Sequence, residues 1–75
     1  MVEAQLNLGV KYANGEGVLE DDVTAYAWFN IATANGDANA KKNKGIVAKK
    51  MTADQIAKAE ALVKEMLKKN PKLLK

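Results

Sequence analysis

The 75-residue chain contains no cysteine and no histidine, one proline, and four aromatic side chains (one Trp, two Tyr, one Phe). Without cysteine, neither a disulfide framework nor a thiolate metal site can supplement the core, and the redox compartment cannot be read from cysteine usage. Without histidine as well, the commonest transition-metal ligands and the usual general base near neutral pH are both missing, which argues against an enzyme. Arginine is absent too, since all twelve basic residues are lysine. That removes the side chain best suited to bidentate reading of phosphates and base edges, so nucleic acid is disfavoured as a partner. No apolar run approaches the ~18 residues of a membrane span, and the amino terminus lacks the basic-then-apolar layout of a secretory signal. A soluble chain with no membrane span is expected. The opening Met-Val-Glu-Ala-Gln already lies inside a helical pattern, as in a piece cut from a longer or exported protein, so localisation stays open.

A chain this short buries only about 60% of its unfolded surface and has room for one compact unit. The thirteen alanines suit close helix packing, and Pro71 sits near the end where it interrupts nothing, so the expected class is all-α. Charge is uneven. Residues 1–36 carry one lysine against five acids and residues 37–75 eleven lysines against four, or 1 − 5 = −4 and 11 − 4 = +7.

Periodicity predicts four helices. In the first, from Glu3 to Ala13, Ala4, Leu8 and Tyr12 recur at steps of four, with Leu6, Gly9, Val10 and Ala13 widening the apolar stripe. Asn14-Gly15-Glu16-Gly17 then turns the chain. Asp21 or Asp22 caps a second helix reaching about Asn35, with Ala25, Tyr26, Trp28, Phe29, Ile31 and Ala32 inward and Asn35-Gly36 as its stop. Asp37 caps a third, to about Lys50, with a sparser face of Ala40, Ile46, Val47 and Ala48. Thr52-Ala53-Asp54-Gln55 fits a capping box for a fourth helix, about Ala53 to Lys69. It carries Ile56, Ala59, Leu62, Val63, Met66 and Leu67 on one side and lysines on the other.

An offset of 36 residues pairs Ala4 with Ala40, Asn7 with Asn43, Gly9 with Gly45 and Val10 with Ile46, as a stacked repeat requires. The run from Ala4 to Val18, followed by Asp21, Ala25, Trp28, Ala32, Gly36 and Ala40, resembles a complete Sel1-like repeat, a relative of the tetratricopeptide repeat. Leu19, Thr24 and Thr33 depart from the usual pattern. The resemblance implies α-α hairpin repeats forming a short TPR/Sel1-like α-solenoid. Residues 1–36 would be one Sel1-like repeat and residues 37–75 a divergent carboxyl-terminal capping hairpin. It further implies a non-catalytic adaptor or scaffold, in bacteria or a similar setting, that takes a protein or peptide partner on the concave face of helices one and three.

Candidate sites follow. Asn7 and Asn43 occupy equivalent positions, and a carboxamide both donates and accepts, so the two can bracket a peptide backbone, with Lys11 beside them. Lysines 41, 42, 44, 49 and 50 offer the alternative, a basic surface for an acidic partner or nucleic acid, although no aromatic residues are interleaved to stack on bases. Gly15-Glu16-Gly17 begins like a dinucleotide fingerprint but follows a helix and lacks the third glycine, so it reads as a turn. Glu20, Asp21 and Asp22 lack calcium-loop spacing and read as caps. No catalytic residue, cofactor or metal is expected. The outer face of helix one is open to self-association.

Overall fold

Why the chain turns where it does is visible in its caps and glycines. The computed structural model describes residues 2–74, and among them the regular elements are α1 (Val2–Asn14), α2 (Asp22–Ala34), α3 (Ala38–Ala48), α4 (Ala53–Lys69) and a closing 3-10 turn (Pro71–Leu73). Gly15 and Gly17 sit at φ 68° and 75°, left-handed values that a Cβ would disfavour. They reverse the chain after α1, and the Asp21 N–H then donates to the Tyr12 carbonyl at 2.9 Å.

Each later helix starts on a side chain that satisfies its free amides. Asp21 accepts from the Thr24 N–H at 3.2 Å and from its hydroxyl at 2.7 Å. Asp37 accepts from the Ala40 N–H at 2.9 Å. At α4 the capping box is complete: the Gln55 N–H donates to the Thr52 hydroxyl at 3.2 Å, and the Thr52 N–H donates to Gln55 Oε1 at 2.9 Å. Such caps contribute about 1 kcal/mol each.

α2 is the shared wall of the molecule, and α1, α3 and α4 all pack against it. Its nearly continuous apolar sequence follows from that position, because a helix covered on several sides needs no polar face. Ala25, Tyr26, Ala27, Phe29, Ile31 and Ala32 are all buried. Phe29 is held between α1 and α3, and Gly9 makes this possible: a Cβ on Gly9 would stand 2.5 Å from Phe29 Cε1 and 2.6 Å from Cδ1.

The structure departs from the expected faces in particular places. In α1 the core side is Gln5 and Gly9, with Leu6, Val10, Tyr12 and Ala13 partly covered, whereas Ala4 and Leu8 lie exposed. The stripe therefore points about a quarter turn away from the one that steps of four suggested. The reason is that α1 meets only α2 closely. In α2, Ala27 is fully buried and Trp28 only half so. α3 ends at Ala48 instead of about Lys50, because capping by Thr52 requires extended backbone there (ψ 164°). The chain must leave the helix beforehand, and in doing so it drops Met51 into the core. Gly45 does not repeat the close approach of Gly9, since nothing lies within 4 Å of where its Cβ would be. α4 packs on α2, so no counterpart of Phe29 is brought over α3.

The chain does not simply stop after α4. Pro71 lacks the N–H that would continue the helix, and the 3-10 turn carries Leu73 back to the start of α1. There the Leu73 carbonyl accepts from Gln5 Nε2 at 2.8 Å and from Asn35 Nδ2 at 2.8 Å, while Asn35 Nδ2 also donates to Gln5 Oε1 at 2.9 Å. Gln5 is only 4% exposed, so its carboxamide had to be satisfied inside the fold.

Candidate functional site: the groove between α1 and α3

α1 and α3 both lie on α2, and the space between them is an open groove of about 170 Å³ lined by Val10, Ala13 and Asn14 of α1, Phe29 of α2, Asn43, Ile46 and Val47 of α3, and Lys50 of the turn that follows α3. Asn43, Ile46 and Val47 share one face of α3, because positions i, i+3 and i+4 are neighbours on a helix. The overall extents are 28 × 22 × 22 Å, so the two helix pairs make a compact block.

The floor is apolar and the rim is polar. Ile46, at 48% exposed, stands at the edge instead of completing the core, which leaves apolar surface available to a ligand. Asn43 is half-buried in the wall. At the far end Asn14 Nδ2 donates to Glu16 Oε1 at 3.4 Å. Lys50 is the charged member of the lining. Behind the wall, the Lys44 ammonium lies 5.9 Å from the Tyr26 ring centroid, a cation–π distance that couples α3 to α2. Burial of Tyr26, aided by the nearby Glu60 carboxylate, raises its phenol above the ordinary value of 10.0.

Of the residues the sequence put forward, Asn43 lines this groove, while Asn7 and Lys11 are exposed on α1 outside its lining. Lys41, Lys42, Lys49 and Lys50 are exposed and Lys44 is half-buried. Asp21 is engaged as a helix cap, and among the described residues no three His, Cys, Asp or Glu side chains gather as a metal-binding group. Gly15-Glu16-Gly17 is a turn, as its sequence context indicated. Among the described residues no helix is long and apolar enough to cross a membrane.

Sequence reasoning passed over Asn14, Phe29, Ile46 and Lys50 as groove residues. A signal was present, since the 36-residue offset carries Val10 onto Ile46 and Asn14 onto Lys50, and all four line the groove. The Gln5–Asn35–Leu73 cluster had no comparable signal, because it joins residues 30 to 68 positions apart.

Two helix pairs stacked on a shared inner helix, the first turned by Gly15 and Gly17, define a tetratricopeptide-like α-solenoid unit. More narrowly, the chain has the Sel1-like repeat (SLR) fold. It is similar to the crystal structure of a protective antigen present in uropathogenic Escherichia coli strains and displaying an SLR fold, with 37% identity over 97% of this chain and a TM-score of 0.86. The chain spans 16% of the length of that antigen. No family model and no curated protein matches the chain.

Proposed function

We propose that this chain is a non-catalytic interaction module whose α1–α3 groove takes a short segment of a partner protein. The SLR fold is in general a protein-interaction repeat fold, which supports an interaction role for this chain. The groove itself supports a segment-binding role, above all through Ile46, whose apolar side chain stays nearly half exposed at the edge of an apolar floor. A ligand would place one apolar side chain against Val10 and Ile46, above the buried Phe29 ring. The Asn43 carboxamide would meet its backbone, since an amide side chain can donate to a carbonyl and accept from an N–H. Lys50 and the exposed lysines of α3 favour an acidic neighbour in the bound segment. Asn7 and Lys11, exposed on α1 outside this lining, would meet the flanking part of the bound segment. Residues 1–36 form the repeat and residues 37–75 the closing unit in this reading. Nucleic acid remains the weaker alternative, because the lysine face has neither arginine nor interleaved aromatics.

The test is peptide selection. Peptides selected from a displayed library against the folded chain should carry one apolar residue beside acids, and Ile46→Asp should weaken their binding by about tenfold or more. Asn43→Ala should weaken it less, by about three- to tenfold. Both side chains lie at the surface, so circular dichroism should show an unchanged fold. Selected peptides that bind the Ile46→Asp variant as well as the parent would refute the groove.

A further inference from the structure

The loop that joins α1 to α2 carries an apolar tip that the fold leaves unused. Leu19 is 91% exposed and Val18 beside it 38%, and Glu20 and Asp21 follow, both exposed. The tip is held out on a fixed turn. The Glu16 N–H donates to the Lys11 carbonyl at 3.0 Å, the Asp21 N–H donates to the Tyr12 carbonyl at 2.9 Å, and Gly15 and Gly17 take left-handed backbone near its start. A lone exposed leucine is ordinary on a protein surface. This one is presented on a preformed turn, so docking it costs little conformational freedom.

We infer that the α1–α3 groove receives the Leu19 loop of a second copy of the chain, two copies exchanging these loops about a two-fold axis; the inference rests on the segment-binding role proposed above. Complementarity carries the argument. The groove calls for one apolar side chain beside acids, because Val10 and Ile46 offer apolar surface and Lys50 a positive charge. Leu19 followed by Glu20 and Asp21 has that chemistry. Leu19 enters between Val10 and Ile46, and Glu20 meets Lys50 at the rim. Among the described residues neither Glu20 nor Lys50 is in an ion pair within its own chain, so each is free to pair across the contact.

The exchange is reciprocal because loop and groove share one end of the molecule. The α1 wall of the groove is the carboxyl-terminal part of that helix, ending at Asn14, and the loop starts at the next residue. Two copies meeting at this end each give a loop and receive one, so the contact is isologous and closes on itself. Both features lie between residues 10 and 50, and neither is made by the position of the first or last residue. Two loop tips and two grooves bury less than the ~1,200 Å² lower bound of standard interfaces, so the dimer should be weak, on the order of 100 μM.

The experiment is sedimentation equilibrium on the intact chain from about 10 μM to about 1 mM, on the parent, on Leu19→Ser, on Ile46→Asp and on an equimolar mixture of the two variants. The parent should approach the mass of a dimer and stop there. Leu19→Ser and Ile46→Asp should each weaken association by about tenfold or more. Their mixture should associate more tightly than either variant alone, because it pairs one intact loop with one intact groove, a recovery that misfolding of a variant cannot produce. A parent monomeric up to about 1 mM, a mass that climbs past the dimer, or a mixture no better than its components would each overturn the proposal. Peptides selected against the groove should bind Leu19→Ser at least as tightly as the parent, since its groove is intact, and should dissociate the parent dimer. Peptide binding by a parent that stays monomeric would sink self-docking alone, whereas peptides that ignore Ile46→Asp would sink the groove and this inference with it.

Discussion

Two glycines at equivalent repeat positions should respond in opposite directions to the same substitution. A Cβ at Gly9 would stand 2.5, 2.6 and 3.1 Å from three carbons of the Phe29 ring, whereas at Gly45 it would meet nothing within 4 Å. Phe29 is 1% exposed, so its ring cannot step aside into solvent. Overpacking of this kind costs about 1–3 kcal/mol, and replacing glycine by alanine inside a helix returns about 1 kcal/mol. Gly9→Ala should therefore be neutral to destabilising by about 2 kcal/mol, while Gly45→Ala should stabilise by about 0.5–1 kcal/mol. The difference between the two isolates the clash, because the propensity gain is common to both. In a domain of this size 1 kcal/mol corresponds to about 4–8 °C in Tm, so thermal unfolding should place the Gly9→Ala midpoint at least ~4 °C below that of Gly45→Ala. Adding Phe29→Leu should narrow the gap, with a coupling of about 0.5–3 kcal/mol in a double-mutant cycle. If the two alanine variants moved Tm together, the close approach of α1 to Phe29 would not be what Gly9 provides.

Gln5→Ala should destabilise the fold by about 1–3 kcal/mol in urea unfolding, because it removes a buried carboxamide that holds the Leu73 carbonyl and receives a hydrogen bond from Asn35. A loss under about 0.5 kcal/mol would mean the 3-10 turn is not fastened there. Stability should also fall in alkali through Tyr26. Its folded pKa is raised by burial and then by Glu60, so the contribution is complete below the unfolded value near 10 and is lost as pH climbs through the folded value, where only the unfolded chain readily gives up the proton. Unfolding followed from pH 8 to 11.5 should be less pH-dependent for Tyr26→Phe than for the parent, and superimposable slopes would contradict this.

Much of the architecture was legible in the residues because it is local. Asp21, Asp37 and Thr52 with Gln55 satisfy amides within three residues of themselves, and Gly15 and Gly17 take backbone angles that other residues avoid, so element order and the turns could be read directly. The 36-residue offset likewise made the repeat visible, and with it the SLR fold. Which face of each helix turns inward is another matter, since that depends on neighbours brought from elsewhere in the chain. Ala4 and Ala40 are the same residue at the same repeat position, yet one is exposed and the other fully buried, because α2 covers α3 whereas no helix among the described residues covers that face of α1. Gly9 and Gly45 diverge for the same reason. Ile46 fits an apolar helix pattern and only tertiary packing puts it at a groove edge. The return of Leu73 to Gln5 required the whole chain to be folded before its two partners could meet. Local chemistry thus settled where helices begin and end, and the order of packing on α2 decided which surfaces remained open to a partner.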